Sequence, residues 1–473
     1  MSFDMAAFAE RLCRFRSTAG KERAAADWME RKLDGLGFET YAWDADADRL
    51  ATHASFPDDP NEIDVAGRRS VAGVLEIGDA VTAVGTGVAT NTNGGTETDS
   101  DTASRHPGDG IDELRTDAAV EPHRPTIVLN GHLDVVPAES SSWSSDPFDP
   151  TWRTPAEGEH GETNEERRTL TARGAADMKS GVAACVGAAL DVRAAAERGA
   201  FDPPASGLRI VVAAVAGEED GGYGAATAAL ASLYPFERDA AIVAEPTELR
   251  PVVACEGCLM ARLRLTGRSA HAATRWRGED VLPRFEAIRE AFSALERERA
   301  RSVTHPCFGD VPVPWPVVCG TVEAGSWAST VPASLTATFR IGVAPGETVA
   351  EVERVFRERL DAVAADDPWL QKHPPEFEQF SVQFEPSEIS ADAPIVEAVR
   401  AGLTNTGLAD VEPVGVTYGT DARHYIAAGV PTVVFGPGSI EEAHYPDETI
   451  EWAEVEAGRA AIAAAVQTFA NRA

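Results

Sequence analysis

Seven side chains of this sequence have the chemistry to run a metal-assisted reaction: His132, Asp134, Asp177, Glu218, Glu219, Glu245 and His444. Two imidazoles with several carboxylates form a borderline-hard donor set, which suits zinc and accepts cobalt or manganese. So many carboxylates in one cleft without cations would raise one another's pKa values and cost stability. A pair of divalent ions removes the conflict. One carboxylate shared between two metals makes a clamp that activates water and polarises a carbonyl. Within Gly131-His132-Leu133-Asp134 the strand period puts His132 and Asp134 on the same side. A ligating histidine needs a partner on its other nitrogen to fix the tautomer, and His-x-Asp supplies one. A histidine at a strand end is more often merely hydrogen-bonded, so the weight rests on the whole set.

The elements that must position these groups follow from the surrounding pattern. PTIVLNGHLDVVP holds a short β-branched run at 126–129 that reads as a strand buried on both faces, and Pro137 ends its ladder. In open α/β sheets the site lies beyond the carboxyl ends of the strands. Asp177 falls just before a small-residue helix expected at 179–198. A strand at 208–215 runs into Glu218 and Glu219, and one at 240–243 into Glu245. The order is strand, helix, strand, helix, strand, with a carboxylate or histidine at each strand's exit. Amphipathic helices are expected within 2–36 and a strand at 38–43. Near 257 the texture changes to alternating strands, LMARLRLTG and LTATFRIGV, with helices at 282–300 and 348–365. This predicts an α+β module inserted into an α/β domain, with the α/β pattern resuming near 386. The expected division is a catalytic domain at 1–256 and 387–473 with the inserted module at 257–386. The segment 58–123 reads as a low-complexity surface insertion, and 155–168 as a second polar one.

At 473 residues the chain is too long for one core, and 44% hydrophobic residues mark it as globular. No apolar run reaches the length of a membrane span, and 1–20 lacks the apolar centre of a secretory signal, so a cytoplasmic protein is expected. The net charge is −34, with only four lysines and with acidic residues spread along the whole chain. Such a surface repels nucleic acid and anionic membrane, which excludes both as partners. It suits a salt-rich cytoplasm, where screening removes most self-repulsion. Six cysteines in this length are not a disulfide framework. Cys255 and Cys258, inside VVACEGCLMARLRL, read as packing residues rather than a metal or redox pair.

The motifs NGHLDVVP, ARGAADMKSG, GEEDGGYG, AEPT, GRSAHAA, GTDAR and FGPGSIEEAHYPDE occur in this order. Together they resemble the zinc-dependent amidohydrolase family of acetylornithine deacetylase, succinyl-diaminopimelate desuccinylase, aminoacylase and glutamate carboxypeptidase. The resemblance implies an α/β fold: a catalytic α/β/α domain with a mostly parallel sheet, plus an inserted α+β (ferredoxin-like) lid and dimerisation domain. It implies two divalent ions, most simply zinc, bridged by Asp177. His132 and Glu245 would complete one site, and Glu219 and His444 the other. Glu218 would be the general base, Asp134 would orient His132, and the Asp177-Met178 peptide would be cis. His271, in GRSAHAA, would help stabilise the oxyanion in a partner subunit's site, which implies a homodimer through the lid. Glu at 245 goes with deacylases and carboxypeptidases, whereas dipeptidases place Asp there and ureido-cleaving relatives His.

Two departures concern the substrate. Where many relatives have Asn before Val-Pro, this chain reads Ser329-Thr330-Val331-Pro332. The arginine that relatives carry before Pro-Gly-Glu is replaced by Gly342, while Arg340 lies two residues earlier on the same strand face. Ser329, Arg340 and Arg423 are therefore the candidate substrate contacts. The expected activity is deacylation of a small N-acyl amino acid. The alternatives are a metallo-carboxypeptidase or dipeptidase acting on short peptides and, from another class, a catalytically silent relative that binds metal or ligand.

Overall fold

A computed structural model describes residues 3–78, 123–154, 168–231, 233 and 236–472. Its centre is a nine-stranded sheet. In spatial order the strands are Glu39–Asp44, Arg69–Ile77, Leu208–Val215, Thr126–His132, Ala240–Val243, Thr432–Val434, Val252–Cys255 and Ser387–Glu388, and Val414–Val416 also pairs with Val252–Cys255. The four strands from Leu208–Val215 to Thr432–Val434 are mutually parallel, and the pairings outside them are antiparallel except that of Val414–Val416 with Val252–Cys255. Period-2 alternation sends successive residues to opposite faces. Ile127, Leu129, Ile210, Val212 and Ile242 enter one apolar layer, whereas Val128, Val211, Ala213 and Val243 enter the other. Both faces are covered, which is why these strands are apolar at nearly every position.

Ser180–Glu197 and Trp452–Ala470 lie within the first layer. Their alanine and glycine content lets backbone approach backbone. A Cβ on Gly181 would stand 2.3 Å from the carbonyl oxygen of Ala244, so the helix start and the strand exit bearing Glu245 touch directly.

The strands Gly257–Thr266, Val317–Ala324, Ser334–Val343 and Glu376–Gln379 form a separate antiparallel sheet, with the helices Leu282–Ser302 and Val349–Ala365 packed on it. The chain order βαββαβ is that of a ferredoxin-like unit. Phe292 anchors its core, edge-on to Phe339, Phe356 and Phe377. Burial alternates along Gly257–Thr266, as expected for a sheet covered on one face. Ser387–Glu388 then returns the chain to the main sheet.

One expectation is corrected. The segment from 58 onward is not wholly a surface insertion, because Arg69–Ile77 is a buried strand between Glu39–Asp44 and Leu208–Val215. SVAGVLEI has the composition of a strand, bracketed by Gly67 and Gly78, both at positive φ. The polar run that follows it drew the boundary too early. Residues 79–122 and 155–167, most of the two expected insertions, lie outside the described residues. Cys255 and Cys258 are both buried.

Candidate active site

Each ligand candidate leaves a strand end or a turn beside one. His132 closes the fully buried strand Thr126–His132. Its Nδ1 donates to the main-chain carbonyl of Asp134 at 2.9 Å, which fixes the ring's orientation and turns Nε2 towards the carboxylates. That Nε2 lies 2.9 Å from Oδ1 of Asp177 and 3.8 Å from Oε2 of Glu245. The other oxygen of Asp177, Oδ2, is 3.5 Å from Nε2 of His444, which in turn sits 3.0 Å from Oε2 of Glu219. Two triads result, His132–Asp177–Glu245 and Asp177–Glu219–His444, each with donor atoms within 4.8 Å of one another. Asp177 belongs to both, with one oxygen turned to each. The Asp177-Met178 peptide is cis, as the motif implied.

The electrostatics are those of a crowded anion cluster. Burial raises the carboxyl groups of Glu218 and Glu245 well above the ordinary range, and neighbouring carboxylates push the same way. Glu219 is raised first by burial and then by the charge of Asp177. Burial would lower His132, but its hydrogen bond to Asp177 and the charges of Glu245 and Asp134 win, and it stays protonated well above the usual imidazole value. Hydrogen bonds to Asp177 and Glu219 lift His444 to about 10 against the opposing effect of the ring's partial burial. Burial pushes Asp177 up, yet the two histidines pull it below the usual carboxylate range. Oε1 of Glu245 is buried without a hydrogen-bond partner. Protons on the imidazoles and carboxyls are thus substituting for positive charge the site demands. Imidazole and carboxylate donors in two triads with a shared oxygen pair fit two divalent cations.

Glu218 is buried beside the triads and belongs to neither. Its turn is gripped by Asp134, whose Oδ1 accepts the N–H of Gly217 at 2.8 Å and whose Oδ2 accepts that of Glu219 at 3.0 Å. The expected aid of Asp134 to His132 therefore comes chiefly through its carbonyl, since Oδ1 stands 3.8 Å from Nδ1. Its carboxylate holds the next strand's exit instead.

The substrate candidates do not join this cluster. His271 is exposed, its Nδ1 accepting the N–H of Ala273 at 3.1 Å within its own loop. Ser329 accepts the N–H of Ala272 through its carbonyl, so the two lid loops are tied to each other rather than to the triads. Arg340 is engaged by the buried Glu256 at 3.1 Å and by the carbonyl of Thr417 at 3.0 Å. A Cβ on Gly342 would lie 1.9 Å from Oε1 of Glu256, so that carboxylate occupies the place a side chain would need. Arg423 is no surface residue. It is buried against Phe384 and donates to the carbonyl of Gly221, in the turn after Glu218, at 2.6 Å.

Sequence reasoning missed a supporting shell. Nζ of Lys179 donates to Oγ of Ser17 at 2.9 Å, and Ser17 donates to the carbonyl of Leu133 between His132 and Asp134. Asn130 spans Asp421 and Tyr425 beneath the same strand exit. A buried charge inside a quoted motif, as at Lys179 and Asp421, was the available signal.

Residues 128–468 match the profile of peptidase family M20/M25/M40. Acetylornithine deacetylase of Proteus mirabilis is 29% identical over 348 residues, covering 72% of this chain and 79% of that protein. Among solved structures, a tripeptidase from Staphylococcus aureus superposes with a TM-score of 0.64 at 15% identity, over 99% of this chain and 98% of that one. A dinuclear metal binding peptidase of the M20 family from Bacillus subtilis gives 0.57 at 13% identity, over 99% and 98%. At those identities the structural likeness speaks to the fold.

Proposed function

This chain belongs to peptidase family M20/M25/M40 and is a metal-dependent hydrolase of amide bonds, and from that premise we propose that it deacylates a small N-acyl amino acid. The observation that carries the reading is the sharing of Asp177 between two triads, with the Glu218 carboxylate beside them and outside both. His132, Asp177 and Glu245 would hold one cation, and Asp177, Glu219 and His444 the other. Zinc is the proposed metal, with cobalt or manganese as substitutes. Divalent cations bound there would supply the charge that lowers the pKa of water and polarises a carbonyl. Glu218 takes the proton of the attacking water and returns it to the departing nitrogen, while Asp134 steadies both His132 and the Glu218 turn. The name of the 29% identical relative and the Glu at position 245 support an N-acyl amino acid over a dipeptide.

The lid supports a homodimer. Val317–Ala324 is an edge strand whose Val318 and Val322 are half exposed, a surface that a second copy would cover. In that dimer His271 of each copy would steady the oxyanion in the other's site. Sedimentation that gives only monomer under assay conditions would take this role from His271. The charge of −34 supports work in a salt-rich cytoplasm.

Turnover of acetyl-, succinyl- and glutamyl-amino acids and of dipeptides, with zinc or cobalt in high salt, tests the reading. Cleavage of an acyl amino acid bears it out. Cleavage of dipeptides alone moves the assignment to a peptidase, and two bound cations without any turnover would mark a silent relative. Glu218→Gln is expected to lower kcat by about 10²- to 10⁴-fold with both cations retained. An unchanged kcat would remove Glu218 as the base.

A further inference from the structure

We propose that Glu448, acting with Arg173, is the positioning residue for the half of the metal centre that the sheet does not hold, an inference that rests on the two-cation reading above. His132 pairs with Val215 at the end of a buried parallel strand, and Glu245 follows one whose next residue, Ala244, still donates to the carbonyl of Asn130, so both are held close to the ladder. Asp177 and His444 have no such support. Asp177 lies in an irregular turn, and His444 has φ +64°, a left-handed conformation unusual for a side chain of its size, with its ring half exposed.

Glu448 supplies the missing support. Its carboxylate is fully buried and accepts four hydrogen bonds. Oε1 takes the N–H groups of Ala176 at 2.8 Å and of Asp177 itself at 3.0 Å. Oε2 takes the N–H of Gly174 at 3.0 Å and Nη1 of Arg173 at 2.7 Å. The carbonyl of Glu448 also accepts the N–H of Ala172 at 3.0 Å. Arg173, buried and laid over the ring of Trp143, extends its Nη2 to the carbonyl of His444 at 3.4 Å. One carboxylate thus fastens the turn of the shared aspartate directly and the His444 backbone through a single arginine. The two ligands come from segments far apart in the chain, and this bridge sets their separation. Hydrogen-bonded partners behind metal ligands typically govern affinity about 10- to 100-fold. Of the ligands Arg173 touches only His444 directly and reaches Asp177 only through Glu448, so it governs the Asp177–Glu219–His444 cation more than the other. Glu448 governs both cations through Asp177, and the second more strongly.

The test uses full-length protein stripped with a chelator and titrated with Zn²⁺ by calorimetry, with bound metal counted by atomic emission and folding followed by circular dichroism. Wild type should bind two cations in two resolved steps. Arg173→Met should weaken one step about 10- to 100-fold and the other far less. Glu448→Gln, which turns an amide NH₂ towards main-chain donors, should weaken both steps. A merely structural role would lower the melting temperature and leave the ratio of the two steps as in wild type. A folded Arg173→Met protein with both steps unchanged, or with both weakened equally, would overturn the proposal. A wild type that binds fewer than two cations would overturn the reading beneath it as well.

Discussion

Glu256 decides what Arg340 is able to do. By spacing, Arg340 is a replacement for the arginine relatives place at position 342, and strand alternation does put it on the same face. What spacing could not reveal is the occupant of the gap: Glu256, distant in sequence, fills the room beside Gly342 and binds the Arg340 guanidinium. An α-carboxylate would therefore meet a guanidinium whose donors are already engaged. Burial raises Glu256 to about 8 against the pull of Arg340. A carboxyl raised in the fold favours the protonated protein, so its contribution to stability falls as pH climbs from the unfolded value through 8. Arg340→Met removes the stronger of two pulls in the other direction, Arg299 being the weaker, so its cost should be small near pH 6. It should approach about 3 kcal/mol at pH 9, the lower end for breaking a buried pair because Arg340 keeps about a quarter of its surface in solvent. Urea unfolding at both pH values measures this, and equal costs at pH 6 and 9 would show that Glu256 and Arg340 are not coupled.

At the scale of elements, the strand exits were legible because buried parallel strands leave an unbroken apolar run that stops at the polar site. The runs before Glu218 and Glu245 gave their strands to the residue, and the run before His132 gave the right start but an end three residues short. The strand Arg69–Ile77 has the same character, but it abuts a long polar segment and carries no chemistry, so composition hid it. The role of Glu448 and Arg173 was illegible for a different reason: both stand inside the motifs, but they act on Asp177 and His444 through backbone N–H and C=O groups, which no side-chain pattern records. The converging exits also make a pH prediction. In the metal-free fold Glu218, Glu219, Glu245, His132 and His444 are all raised, so the native state holds more protons than the unfolded one. Its stability must then fall as pH rises from the carboxylate range through neutrality. Asp177 runs the other way, in a window below its ordinary value. Cations displace those protons, so calorimetry should show a melting temperature in EDTA lower at pH 8.5 than at pH 6, and a gain from zinc that widens with pH. At a hundredfold excess over Kd each cation adds about 2.7 kcal/mol. A metal-free melting temperature that rises over this range would contradict the cluster's electrostatics.

For the whole molecule, 76 acidic against 42 basic residues set up self-repulsion that salt relieves. The Debye length shrinks from about 10 Å at 0.1 M to about 3 Å at 1 M, so the thermal midpoint should climb over that range of KCl and level off beyond it. A midpoint indifferent to KCl would mean that the surface charge is a matter of solubility alone. Among the described residues no helix is long and apolar enough to cross a membrane. The larger claim is convergence: ligands spread from residue 132 to residue 444 meet around one aspartate. Crystals grown with zinc and recorded on both sides of its absorption edge test that claim most directly. The account predicts two anomalous peaks, one against each oxygen of Asp177. A single peak, or two peaks that leave Asp177 bound to only one of them, would contradict it.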